Sequence, residues 1–116
     1  MFKINPNPTF TAAVPLTVPG LPEPLEVNFT FRHKNEAQLA AWVLESKGHD
    51  EVAVLHGLIV SWSGIKDDEG NEVPYSLTAL TDLVGNYWAA KDEIATAYRK
   101  ELRESKIKNF VRLRAA

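Results

Sequence analysis

Two segments with a period of two constrain the fold most. Phe10, Ala12, Val14, Leu16 and Val18 alternate with Thr9, Thr11, Ala13, Pro15 and Thr17. Leu25, Val27, Phe29 and Phe31 alternate with Glu26, Asn28, Thr30 and Arg32. Successive side chains on a strand point to opposite faces, so this alternation predicts two half-buried strands. The breaker-rich run Pro19-Gly20-Leu21-Pro22-Glu23-Pro24 joins them and predicts a hairpin. Symmetric pairing about that run sets Val18 opposite Leu25, Leu16 opposite Val27, Val14 opposite Phe29 and Ala12 opposite Phe31. Every pair then shares one face. Pro15 has no amide hydrogen to give to a ladder, which puts its strand at an edge.

A two-stranded ribbon is marginal alone, and its apolar face needs a cover. Helical signals supply one. Asn35 with Gln38 forms a capping box, and Gly48 follows Lys47 as a stop. Asp50 is placed to cap a second helix. Val52, Leu55, Leu58, Ile59 and Trp62 then recur at spacings of three and four, which predicts a helix running into Trp62. Gly57 in that stripe predicts close packing against another backbone. The stretch 63–75 reads as a hairpin-like loop with its tip at Asp67–Asn71, anchored by Trp62 and Tyr75. Ser76 caps the next helix, whose stripe is Leu77, Leu80, Leu83 and Val84. Gly85-Asn86 interrupts it, and a long helix is expected from near Tyr87, with Tyr87, Ile94, Tyr98 and Leu102 on one side. The expected fold is α+β. A single domain over 1–116 carries an N-terminal antiparallel β-hairpin (9–32), packed on a bundle of about four α-helices (35–116, with loop 63–75).

Chemistry-bearing motifs are scarce. The chain has no cysteine, which removes disulfides and thiol catalysis. His33, His49 and His56 match no zinc spacing. The six glycines are scattered and form no phosphate-cradling loop. No GxSxG elbow surrounds Ser61 or Ser63. The acidic run Asp67–Glu69 invites a calcium reading. Counted from Asp67, however, Glu72 falls where an EF-hand needs glycine and Thr78 where it needs glutamate. A solvated turn is the expectation. No catalytic, cofactor-binding or metal-binding residue is assigned, and an enzyme is not expected. No apolar run approaches the ~20 residues of a membrane span, and the N-terminus lacks the apolar core of a signal peptide, so a cytosolic protein is expected.

Charge is uneven. The whole chain carries −2. From Arg99 onward seven Lys or Arg stand against Glu101 and Glu104, a net of +5, which leaves −7 for residues 1–98. The basic end suggests one alternative function, a small nucleic-acid-binding or regulatory protein. No reading motif accompanies it, and the acidic body would repel nucleic acid. Ile107, Phe110 and Val111 form a second apolar cluster among Lys106, Lys108 and Arg112. They are the candidate partner-binding residues.

Three stretches carry a family resemblance. The first is Phe2-Lys3-Ile4-Asn5-Pro6-Asn7-Pro8-Thr9-Phe10, followed by the strand pair and Phe31-Arg32-His33-Lys34. The second is Trp62-x-Gly64-Ile65-x-Asp67, with Gly70, Val73-Pro74-Tyr75-Ser76 and then Leu80. The third is Ile94-x-x-Ala97-Tyr98-x-x-x-Leu102, ending near Lys108-Asn109. Together they resemble a tail assembly chaperone of long-tailed (siphovirus-type) bacteriophages. The resemblance implies a non-catalytic protein of the host cytoplasm, without cofactors and absent from the mature virion. It implies that the chain binds the tape measure protein and tail tube protein and self-associates as a homo-oligomer, with no membrane partner. It also implies a short form, to which ribosomal frameshifting would add a C-terminal extension.

Overall fold

A computed structural model of the protein describes residues 2–104. Its elements run β1 (Thr9–Leu16), β2 (Leu25–Arg32), α1 (Glu36–Glu45), α2 (Glu51–His56), β3 (Ile59–Ser63), α3 (Leu77–Asn86) and α4 (Ala90–Arg103). The fold is α+β: an antiparallel sheet in the order β1-β2-β3, with four helices.

The two alternating segments form the expected hairpin, and β1 lies at an edge as Pro15 requires. The register differs from the symmetric one by two residues. Leu16 faces Leu25, Val14 faces Val27, Ala12 faces Phe29 and Phe10 faces Phe31. The turn is the reason. It closes on Val18 and Leu21 (Leu21 N to Val18 O, 3.1 Å), early in the connection and not at its middle. Pro19 and Gly20 take the central positions, and Gly20 has the positive φ of 91° that a type II turn demands. Thr17 leaves the ladder because its amide and hydroxyl go to the Glu93 carboxylate at 2.9 and 2.6 Å. A slip of two preserves the pleat, so the predicted face is still the buried one.

The segment after Gly57 is a correction. The second helix ends at His56, and Ile59–Ser63 is a third strand beside β2. Ile59 and Trp62 both face the core although they are three residues apart. A bulge makes this possible. Phe29 pairs with Trp62 and Thr30 with Ser61, but Phe31 pairs with Ile59, which leaves exposed Val60 as the extra residue. The helical part predicted over 35–116 therefore contains a strand. Gly57 keeps right-handed backbone angles as the α2 cap. A Cβ there would meet the Val54 carbonyl at 3.3 Å and the Trp42 indole at 3.4 Å, so its close neighbour is a side chain and its own helix.

Helix starts follow the predicted chemistry. The Asn35–Gln38 capping box is complete, and Ser76 accepts from the Ala79 amide at 3.0 Å. Asp50 accepts from the Val52 amide. The last helix begins at Ala90 and not near Tyr87, which serves instead as the C-cap of α3. Trp88 lies in that junction and is 97% exposed.

One face of the sheet is the core. Val14, Phe29 and Phe31 are fully covered, by Leu55 and Leu58, by Leu80 of α3 and by Ala90, Ile94 and Tyr98 of α4. Tyr98 closes it at one end, with its ring 5.1 Å from Phe31 and 5.6 Å from Phe10. The opposite face of the hairpin is polar; Thr11 and Thr30 are hydrogen-bonded there at 3.2 Å.

Candidate interaction surface

The 63–75 stretch is tied down from both sides. The Trp62 indole donates to the Val73 carbonyl at 2.8 Å, and its ring meets Tyr75 edge-on at 5.0 Å. Tyr75 in turn stacks on His56 and shares a 2.7 Å hydrogen bond with its Nδ1. Burial raises the Tyr75 phenol above its ordinary range, while Arg32 pulls the other way. At the tip, the Asp67 carboxylate accepts the amides of Glu69 and Asn71, both at 2.9 Å. Gly70 supplies the left-handed residue there. The acidic run thus spends its first carboxylate on its own turn. Among the described residues no three His, Asp or Glu side chains converge to hold a metal. No helix of the described residues is long and apolar enough to cross a membrane.

What the structure leaves open is apolar surface. Helix α1 carries the run Leu39-Ala40-Ala41-Trp42-Val43-Leu44, yet none of its residues is buried. Leu39 and Trp42 pack against the core from outside, while Val43 and Leu44 are 47% and 65% exposed. A helix that is apolar on most sides belongs in an interior or an interface, and this one has water along its outer side. Between α1 and α4 runs a groove of about 1090 Å³. Its lining includes Leu39, Ala40, Val43, Leu44 and Leu102. Lys34, Arg99, Lys100 and Arg103 line it as well, with Glu36 and Glu104.

The predicted contact residues Ile107, Phe110 and Val111 lie outside the described residues. The chain leaves α4 at Glu104, itself on the groove. Sequence reading missed the outer side of α1. The six-residue apolar run was the available signal, because a single core-facing stripe cannot use all of it.

The fold and this surface define a small α+β protein with exposed apolar side chains along one helix, α1. A family model described as "Phage tail assembly chaperone" matches residues 1–109, and the chain belongs to that family. No curated protein and no solved structure matches it.

Proposed function

We propose that this chaperone belongs to a long-tailed, siphovirus-type phage, and that it binds the tape measure protein and the tail tube protein in the host cytoplasm, non-catalytically. It then stays out of the finished virion. The exposed outer side of α1 is the observation that supports this reading. A long helical client presents apolar stripes before its tail tube surrounds it, and covering such stripes takes an amphipathic surface, not a deep pocket. Ile107, Phe110 and Val111 would add apolar side chains for the client, and self-association into a homo-oligomer would multiply the surface.

Co-expression tests the proposal. The tape measure protein should be insoluble alone and soluble with the chaperone. Serine at Ile107, Phe110 and Val111 together should weaken the association and leave thermal unfolding nearly unchanged. Equal client solubility with and without the chaperone would contradict the reading.

A further inference from the structure

We propose that the groove between α1 and α4 receives an amphipathic helix with acidic flanks from the client. The inference deepens the chaperone reading and rests on it. The groove lining combines aliphatic side chains with an uneven charge: four cations, Lys34, Arg99, Lys100 and Arg103, to two carboxylates, Glu36 and Glu104. None of those four cations is held in a salt bridge among the described residues. Lys91 pairs with Glu51 on another element. Cations without a salt bridge among the described residues, beside exposed Val43 and Leu44, are complementary to a ligand that brings both apolar side chains and carboxylates.

Charge also separates the possible occupants. The chain's own last residues carry Lys106, Lys108, Arg112 and Arg114 and no acid, so they would add like charge to this lining. A second copy joined by two-fold symmetry would set the same cations face to face. Nucleic acid would meet aliphatic side chains where base stacking needs aromatic ones. An acidic amphipathic helix meets neither obstacle. Carboxylates three and four residues from its apolar stripe fall on both flanks of the buried face, within reach of the lining cations.

The probe is a stapled, fluorescein-labelled helix of about five turns, with leucine at every third and fourth position and glutamate on the flanks. Its control carries lysine for glutamate. The full chain should bind the acidic probe and bind the basic one at least about ten-fold more weakly. Leu44→Glu should abolish binding. Arg99→Glu with Arg103→Glu should reverse the preference, so that the lysine probe binds better. All three positions are exposed, so far-ultraviolet circular dichroism and thermal midpoint should match the native chain.

Equal affinity for the two probes, or binding untouched by Leu44→Glu, would overturn the proposal. So would a photo-crosslink from position 43 to residues 105–116 of the same chain, a dimer that Leu44→Glu dissociates, or phosphatidylglycerol vesicles that displace the probe. The two readings fail separately. If the charge-reversed chain loses the probe but keeps the tape measure protein soluble, the groove assignment falls and the chaperone function stands. If the native chain fails to keep that protein soluble, the function falls.

Discussion

The Tyr98 hydroxyl donates to the Arg32 carbonyl at 2.7 Å, joining α4 to the end of β2 across 66 positions of sequence. Arg32 is itself a stitch. Its amide donates to the Leu58 carbonyl at 2.8 Å and its guanidinium to the Ile59 carbonyl at 2.9 Å, holding the bulged strand in place. Tyr98→Phe keeps the ring packing and removes the one bond. It should cost about 1–2 kcal/mol in urea unfolding, because a part-buried carbonyl loses its partner. No change in midpoint would show that the bond contributes nothing.

Burial pushes the Tyr98 phenol up to about 12, from an ordinary 10.0. Its neutral form is favoured in the folded chain, so the unfolded chain releases this proton first. Stability should therefore hold up to about pH 10 and fall as pH rises toward 12. Tyr98→Phe should flatten that fall, leaving the smaller slope contributed by Tyr75, which burial also raises. Thermal midpoints across that range check the sign.

Trp62 is the hinge pin of the 63–75 stretch, through its bond to Val73 and its contact with Tyr75. Trp62→Phe should cost about 1–2 kcal/mol. Hydrogen exchange should speed up at Val73, whose amide bonds the Ile65 carbonyl at 2.8 Å. The tip should change less, because Asp67 holds it locally.

Glu93 ties the first turn of α4 to the hairpin end through the Thr17 amide and hydroxyl. Glu93→Ala should cost about 1–2 kcal/mol, with water competing for these exposed partners. Glu93→Gln should recover part of it, since the amide oxygen still accepts. Urea midpoints of the two variants decide the order.

Much of this architecture is legible in the sequence. The hairpin, its buried face, the edge position of Pro15 and the caps at Asn35, Asp50 and Ser76 all rest on local chemistry, and each is present. The third strand was hidden by a coincidence of periods. Leu55, Leu58, Ile59 and Trp62 mimic a helical stripe because the bulge at Val60 puts Ile59 and Trp62 on one face at a spacing of three. The β-branched and aromatic run between Gly57 and Gly64 was the competing signal. The hairpin register depended on where in 17–24 the turn closed, and a tertiary partner, Glu93, helped decide it. The candidate interaction surface was least legible. Periodicity marks what a helix buries, and α1 buries almost nothing.

Hydrogen exchange on the chaperone, free and bound to the tape measure protein, reads the central claim most directly. If α1 and the second half of α4 are the client surface, amides in 36–45 and 96–103 gain protection on binding, while those of β1 and β2 hardly change. Protection confined to the sheet edges or to 63–75, with α1 exchanging as it does alone, would contradict the account.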